Sequence, residues 1–286
     1  MKKILALGRQ EFSEVIGDNC IYVDKTEDIY NLIRSGKYYF LSRPRRFGKS
    51  LLANTIKELF LGNKDLFKDQ WIYDKWDWDK TYPVIKMSFS SISHDVLGLE
   101  QAIQNMLDKI AEKYGLKYTA SAYPEKFQEL IEKLSQKAPV VILIDEYDKP
   151  IIDYIEVVRK ATKEEAAKKE KSKAKQNRDI LKNFYSVLKD LDSKIRFLFI
   201  TGVSKFSQVS IFSDLNNLTD ITLDEDYAKI VGWTKEEIQK YFPDYIARLA
   251  EKFKDIFPDI MEQVTTWYDG YSWDGISRLF NPVSVM

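Results

Sequence analysis

The stretch that decides the fold is YYFLSRPRRFGKSLL, residues 38–52. It opens within a compact aromatic and aliphatic run of strand character, Lys37–Ser42, and it leads into apolar residues at helical spacing over Lys49–Leu61. Between the two stands Gly48-Lys49-Ser50, the second half of the phosphate-binding pattern of a glycine, four residues and Gly-Lys-Ser or Gly-Lys-Thr. A strand, a tight loop and a helix in this order predict a loop that binds phosphate at a helix N-terminus.

Each residue type in this loop has a physical role to fill. Gly48 lets successive backbone N–H groups turn toward phosphate oxygens, Lys49 can reach the β- and γ-phosphates, and Ser50 would supply a hydroxyl to Mg²⁺. Arg45 and Arg46 either add charge near the phosphates or pair with surface carboxylates, and the sequence leaves both readings open. The predicted nucleotide-binding residues are Pro44, Arg45, Arg46, Phe47, Gly48, Lys49, Ser50 and Leu51.

Arg43 stands where the usual pattern has its first glycine. A residue with a side chain can replace that glycine if its φ stays negative, and the following Pro44 favours an extended conformation there. The substitution is therefore compatible with a nucleotide site.

A second motif is VVILIDEYDKP, residues 140–150. The continuous apolar run Pro139–Ile144 is typical of a parallel strand covered on both faces, and Asp145 and Glu146 follow at its carboxyl end, where ligands bind in open α/β sheets. Asp145 would hold Mg²⁺, and Glu146 would orient and polarise the attacking water. A strand that merely ends in a polar turn is the alternative, but the pairing with Gly-Lys-Ser favours a nucleotide site.

A weaker third element is the strand IRFLFIT, residues 195–201. In P-loop ATPases with an acidic residue beside the metal-binding aspartate, the next strand inserts between the aspartate's strand and the strand of the loop. Thr201 would then touch the γ-phosphate or the water. An ordinary strand end is the equally weighted alternative.

The remaining elements predict an α/β fold, a P-loop NTPase with a doubly wound, mainly parallel sheet. A further strand is predicted at Pro83–Phe89, with helices at Val96–Tyr114 and Pro124–Gln136. We predict an ATPase domain over residues 1–224 and a small C-terminal helical lid over residues 225–286, where Thr234 and Glu237 form a capping box. The Tyr and Trp residues of YDGYSWDG either pack in the core or stack on a base.

Composition excludes several classes of site. Lys plus Arg and Asp plus Glu both total 44, so no global field directs the chain toward nucleic acid. A single cysteine, Cys20, and a single histidine, His94, exclude an internal disulfide, a cysteine-based zinc site and histidine-dependent triads. No apolar stretch approaches a membrane span or a secretory signal, so we expect a cytoplasmic protein without a membrane partner.

The segment Arg159–Arg178 departs from this balance, with nine basic and three acidic residues. A solvated helical extension or a partly disordered insertion is the favoured interpretation. A basic arm that contacts nucleic acid phosphates is the alternative, which the absence of interleaved aromatic residues disfavours.

The ordered motifs resemble those of a known family. The series YVDKT, FLSRPRRFGKS, PVIKMSFS, VVILIDEYDKP, FLFITGVSKFS, IFSDLNNLTDIT, YDGYSWDG and FNP is similar to the AAA-ATPase-like family, bacterial P-loop ATPases near the archaeal ATPase and signal-transducing NTPase groups. The resemblance implies that Arg-Pro-Arg-Arg-Phe-Gly-Lys-Ser is a normal family form of the loop. Many members carry a nuclease-like domain after the ATPase part; this sequence stops at Met286 soon after FNP, so no nuclease activity is expected of it.

These observations predict a P-loop ATPase that uses ATP and Mg²⁺, with Lys49, Glu146 and Thr201 as catalytic residues and Ser50 and Asp145 as metal ligands. Hydrolysis would drive a conformational or regulatory switch, which rests on family analogy. Two alternatives stay open, namely a catalytically weak ATP-binding scaffold with a loop distorted by Arg43, and a nucleic-acid-binding adaptor that acts through the basic segment. A protein partner or a homo-oligomer is compatible with either reading.

Overall fold

The computed structural model of the chain describes residues 3–160, 164–205, 211–213 and 215–286, with side chains outside residues 157–170. In chain order the described α-helices are α1 Phe12–Gly17, α2 Thr26–Ser35, α3 Lys49–Phe60, α4 His94–Leu97, α5 Leu99–Lys113, α6 Tyr123–Leu134, α7 Lys149–Lys160, α8 Glu164–Ser186, α9 Lys235–Tyr241, α10 Pro243–Phe253, α11 Ile260–Tyr268 and α12 Pro282–Val285. Short 3-10 helices cover Lys64–Phe67, Phe89–Ser91, Val187–Lys194 and Glu225–Tyr227.

The described strands are β1 Tyr38–Ser42, β2 Val84–Ser88, β3 Val140–Asp145, β4 Ile195–Gly202, β5 Thr219–Asp220, β6 Asp269–Tyr271 and β7 Leu279–Phe280. Contacts within the chain group these elements into two compact units. The first unit comprises residues 1–36, 44–80 and 220–286, and the second comprises residues 37–43 and 81–219.

The second unit is built on a sheet with strand order β2-β3-β4-β1-β5. The pairs β2/β3, β3/β4 and β4/β1 are parallel. Every residue of β1 and β3 is buried, as expected for apolar strands covered on both faces. The predicted α/β class and mainly parallel sheet are therefore confirmed, and the doubly wound arrangement stays a prediction.

The position of β4 confirms one topological expectation. This strand pairs with β3 on one side and with β1 on the other, with Ile200 opposite Ile144 and Thr201 opposite Leu41. The strand after the Asp145 motif thus inserts between that motif's strand and the strand that leads into the Gly-Lys-Ser loop. Because the three strands are parallel, their carboxyl ends lie at one edge of the sheet.

Helices α5, α6 and α8 bury their apolar faces in the core of this unit. Leu107, Phe127 and Phe184 are fully buried in it, and Phe127 stacks on Phe184 with ring centroids 4.5 Å apart. The predicted helix Val96–Tyr114 is divided into α4 and α5 because Gly98, between them, has a positive φ of 78°.

The predicted basic segment is partly described. Its backbone is helical up to residue 160 and again from residue 164, and α8 is joined to the start of α7 by a hydrogen bond of 2.7 Å from Asn177 Nδ2 to the Pro150 carbonyl. Residues 161–163 and the side chains of residues 157–170, which carry much of the predicted charge, lie outside the described part of the chain.

The first unit combines α1–α3 with the C-terminal elements. The capping box of α9 is present as predicted, with the Thr234 hydroxyl accepting from Glu237 N–H and the Glu237 carboxylate accepting from Thr234 N–H. Glu237 also pairs with Lys25, which precedes α2, at 2.5 Å. Elements from residues 1–36 and from residues 220–286 therefore share one compact unit, and the predicted domain boundary at residue 224 and the lid beyond it stay predictions.

Within the described ranges, none of the helices combines the length and the apolar character that crossing a membrane requires.

Candidate nucleotide-binding site

The N-terminus of α3 offers a set of backbone donors to an anion. Gly48 occupies the N-cap position with φ 95° and ψ 8°, no side chain of the described residues caps the helix, and its first turn contains no acidic residue. The first N–H groups of a helix lack partners within the helix and carry a partial positive charge. A Cβ at Gly48 would meet nothing within 4 Å, so the glycine is required for its backbone conformation and not for lack of room.

The loop that precedes α3 has an unusual backbone. Arg46 has φ 67° and Gly48 has φ 95°, while Phe47 between them is not in the positive range. A left-handed conformation costs a residue with a side chain about 1–2 kcal/mol. Alternation of this kind turns successive N–H groups toward one side and builds an anion-binding concavity.

Arg43 adopts a conformation that does not need a glycine. Outside glycine, positive φ values occur in the described residues only at Asn19, Arg46 and Glu146. The Arg43 side chain is fully buried, Nη1 donates to the Ser42 carbonyl at 3.1 Å, and its N–H donates to the Gly202 carbonyl at 3.2 Å. Arg43 therefore extends the hydrogen bonding of β1 with β4, and the expectation that its φ stays out of the positive range holds.

Lys49 lies over the loop that it follows. Its Nζ donates to the Pro44 carbonyl at 2.9 Å, and the residue is 5% exposed. This hydrogen bond closes the loop over the Lys49 side chain and places the Lys49 ammonium group beside the loop's backbone. Arg45 and Arg46 are exposed, while Ser50 and Leu51 are half-buried.

Phe47 fixes the loop to C-terminal elements of the same unit. Its fully buried ring packs edge-on against Tyr271 at 4.8 Å and Trp273 at 5.8 Å between centroids, and its carbonyl accepts the N–H of Gly232 at 3.1 Å. Asn281 Nδ2 donates to the Arg45 carbonyl at 3.4 Å. Tyr271 and Trp273 are half-buried and pack on Phe47, and a role of YDGYSWDG in stacking on a base stays a prediction.

The second group of predicted site residues lies at the carboxyl ends of β3 and β4. Asp145 is 4% exposed and Thr201 is fully buried, and the Thr201 hydroxyl donates to Asp145 Oδ1 at 2.5 Å. Glu146, half-buried, has φ 53°, so the chain turns sharply directly after Asp145. Strained backbone in a residue with a side chain persists where the surroundings impose it, and it concentrates at functional sites.

Tyr147 and Asp148, to which the sequence analysis gave no role, connect the chain after β3 to the chain after β4. Asp148 Oδ2 accepts the N–H groups of Val203 at 3.0 Å and Ser204 at 2.7 Å. Burial raises the pKa of Asp148, and the hydrogen bonds from Ser204 and Val203 oppose that rise. The Tyr147 hydroxyl donates to the Ser204 carbonyl at 2.9 Å.

The predicted metal ligands fit the chemistry of Mg²⁺. The described residues contain no group of three or more His, Cys, Asp or Glu placed to hold a metal ion. Mg²⁺ at a nucleotide site needs only one or two protein oxygens, because phosphate oxygens and water supply the others. The bond from Thr201 occupies one of roughly four acceptor positions of an ionised carboxylate, so Asp145 keeps capacity for a cation.

Comparison with known proteins identifies the family. The family model described as "AAA-ATPase_like: Predicted AAA-ATPase" matches residues 6–212, more than half of the chain. The chain belongs to the AAA-ATPase-like family.

A curated relative of this AAA-ATPase-like chain is the "Uncharacterized protein in vnfD 5'region" of Azotobacter chroococcum mcd 1. The two are 38% identical over 289 residues, an alignment that covers all of this chain and 51% of the relative. The chain thus spans about half the length of the curated relative that it matches. No solved structure matches it.

The family match includes every predicted site residue of this AAA-ATPase-like protein. It does not include Gly232 and Asn281, which donate hydrogen bonds to carbonyl groups of the loop. The sequence alone predicts that Asn281 begins a helix, since an asparagine directly before a proline is typical of an N-cap, and Asn281 does cap α12. No local pattern predicts its hydrogen bond to the Arg45 carbonyl, because the two residues are 236 positions apart.

Proposed function

We propose that the protein is an ATPase that binds Mg-ATP and hydrolyses it to drive a conformational or regulatory switch. The observation that carries the proposal is the uncapped N-terminus of α3, preceded by a loop with positive φ at Arg46 and Gly48. Membership of a family described as a predicted AAA-ATPase supports the same chemistry.

The loop residues 44–51 would hold the phosphates. Backbone N–H groups of Phe47, Gly48 and the first turn of α3 would donate to phosphate oxygens, and the Lys49 ammonium would exchange its bond to the Pro44 carbonyl for a phosphate oxygen. Because Phe47 is fully buried and its carbonyl is bonded to Gly232, the loop is held in shape before any ligand binds. A preorganised loop avoids the entropic cost of ordering on binding.

The carboxyl end of β3 would supply the groups for hydrolysis. Asp145 with Ser50 would hold Mg²⁺, which neutralises charge on phosphate oxygens during phosphoryl transfer. Glu146 would accept a proton from the attacking water and orient it, as a general base does. Thr201 orients Asp145 through its hydroxyl and would lie beside the same reacting groups.

The conformation of Arg43 favours this reading over a distorted, weakly active scaffold. That alternative required Arg43 to deform the loop, whereas its φ is outside the positive range and its N–H continues the pairing of β1 with β4. The switch that hydrolysis would drive, and the partner or homo-oligomer that would receive it, rest on family analogy alone.

The test is Mg²⁺-dependent phosphate release by the wild type, by Glu146→Gln and by the matched control Glu100→Gln, an exposed glutamate of α5. We expect turnover by the wild type and the control, and a loss of about a hundredfold or more in Glu146→Gln with ATP affinity retained. Equal turnover in Glu146→Gln and the wild type, or no turnover in the wild type, would contradict the proposal.

A further inference from the structure

The chain directly after Asp145 and the chain directly after β4 are joined by hydrogen bonds within the second unit. Tyr147 N–H donates to the Thr201 carbonyl at 3.1 Å, and the Tyr147 hydroxyl donates to the Ser204 carbonyl at 2.9 Å. Asp148 Oδ2 accepts from Val203 and Ser204. With the bond from Thr201 to Asp145, five hydrogen bonds link residues 145–148 to residues 201–204.

Asp148 is one of two buried acids in this network, the other being Asp145. Asp148 is 1% exposed, and one of its oxygens, Oδ2, receives two successive backbone N–H groups. The other oxygen, Oδ1, is buried and has no hydrogen-bond partner among the described residues. A buried carboxylate oxygen without a partner is costly. Within the described residues, Asp148 therefore joins the two segments through the bonds that Oδ2 accepts.

Tyr147 and Gly202 show how closely the two segments fit. A Cβ at Gly202 would lie 2.3 Å from Tyr147 Cε1 and 3.1 Å from Asp148 Oδ1, so only a glycine leaves room for both side chains. The Tyr147 ring is fully buried and packs edge-on against Phe40 of β1 at 5.5 Å between centroids. The register between residues 145–148 and 201–204 is therefore fixed by shape as well as by hydrogen bonds.

We propose that Asp148 is a positioning residue for phosphoryl transfer. It holds the backbone of Val203 and Ser204 so that the end of β4, including Thr201, keeps one orientation toward Asp145 and Glu146. The inference rests on the proposed ATPase function. Since α7 begins at Lys149, the next residue, the same contacts tie the end of β4 to the start of α7.

The test compares kcat, KM for ATP and thermal stability in the wild type, Asp148→Asn, Asp148→Ala and Tyr147→Phe. Asparagine keeps the shape and one acceptor oxygen, but its neutral amide oxygen accepts weaker hydrogen bonds than a carboxylate does, whereas alanine keeps neither the shape nor an acceptor. We expect kcat to fall about tenfold in Asp148→Asn and about a hundredfold in Asp148→Ala, with KM changed less than about twofold. Tyr147→Phe should lower kcat by about threefold to tenfold, through the lost bond to Ser204.

A matched control separates positioning from general loss of stability. Tyr114→Phe also removes a tyrosine hydroxyl, which bonds the Val84 N–H at 2.9 Å and the Val84 carbonyl at 2.8 Å at the start of β2, the other end of the sheet. We expect it to lower thermal stability and leave kcat unchanged. Amide hydrogen exchange gives a readout independent of turnover, since Val203 and Ser204 should exchange faster in Asp148→Asn while residues 141–144 of β3 stay protected.

Each outcome bears on the proposal. A graded loss of kcat at constant KM, with faster exchange at Val203 and Ser204, supports it. If Asp148→Ala does not fold, Asp148→Asn and Tyr147→Phe carry the test. Wild-type kcat in those two variants, or a change in KM alone, contradicts the positioning role and leaves the ATPase proposal intact. No turnover in the wild type contradicts the ATPase proposal and the positioning role with it.

Discussion

The hydroxyl of Thr201 donates a hydrogen bond of 2.5 Å to Oδ1 of Asp145, across the neighbouring strands β4 and β3. The sequence predicted that Asp145 holds Mg²⁺ and that Thr201 either touches the γ-phosphate or the water or is an ordinary strand end. In the structure the Thr201 hydroxyl orients the Asp145 carboxylate through this hydrogen bond. A hydroxyl that orients a metal-binding carboxylate affects metal affinity without touching the metal.

Removal of this hydroxyl should lower the apparent affinity for Mg²⁺ specifically. Valine has the shape of threonine but donates no hydrogen bond, so Thr201→Val leaves Asp145 without its orienting partner. We expect the Mg²⁺ concentration for half-maximal ATP turnover to rise about tenfold or more. Titration of turnover with Mg²⁺ measures the shift, and Thr201→Ser, which keeps the hydroxyl, is the control. Identical Mg²⁺ curves for Thr201→Val and Thr201→Ser would refute the role.

Gly232 should be intolerant of a side chain because Phe47 occupies the space. A Cβ there would lie 2.7 Å from Phe47 Cε1, and Gly232 has φ 81°. We expect Gly232→Ala to lower the free energy of unfolding by about 2–4 kcal/mol, from overpacking and the positive φ together. Because the ring anchors the loop, ATP affinity should fall as well.

The control for this prediction is Gly275→Ala in the same unit. Gly275 has a similar φ of 77°, and a Cβ there would meet nothing within 4 Å. It should cost only about 1 kcal/mol in urea unfolding and leave ATP affinity unchanged. Equal losses in the two variants would mean that the contact with Phe47 is not what constrains Gly232.

Glu129 should contribute to acid sensitivity. The hydrogen bond from Lys133, followed by those from the N–H groups of Ala120 and Thr119, lowers the pKa of Glu129 to about 2. A carboxylate whose pKa is depressed by folding stabilises the protein above its unfolded pKa of about 4.3, and this stabilisation is lost as the pH falls toward the folded value.

Glu129→Gln should therefore be less stable than the wild type at neutral pH, and the two should converge as the pH falls from about 4.3 to about 2. Thermal unfolding midpoints at a series of pH values measure this. Glu112→Gln, at an exposed position on α5, is the control and should follow the wild type throughout. A constant difference between Glu129→Gln and the wild type across that range would contradict the assignment.

The sequence located β1 to β4 well because their signals are local, whereas the short strands β5 to β7 were not predicted. Continuous apolar runs placed β3 and β4 within one residue of their ends, and the motif order placed β4 between β3 and β1. Gly98 shows the limit of such patterns, since the apolar spacing continues through a residue whose positive φ divides the helix.

The candidate site was only partly predictable because much of its support is long-range. The residue types of the loop predicted phosphate binding, but nothing local indicated the positive φ of Arg46 and Glu146. Asp148 was quoted within its motif without a role, because its partners Val203 and Ser204 lie 55 and 56 residues away. The periodicity of apolar residues predicts which residues are buried. It does not predict which distant N–H group donates a hydrogen bond to a buried carboxylate.

The most direct test of the central claim is the Kd of Mg-ATP for the wild type and for Lys49→Ala, measured by calorimetry, with Lys109→Ala on the exposed face of α5 as the control. If the loop before α3 binds the phosphates, the wild type and Lys109→Ala bind ATP equally, and Lys49→Ala binds about tenfold more weakly or worse. No binding by the wild type, or equal Kd values for all three proteins, would contradict the claim that this loop is a nucleotide site.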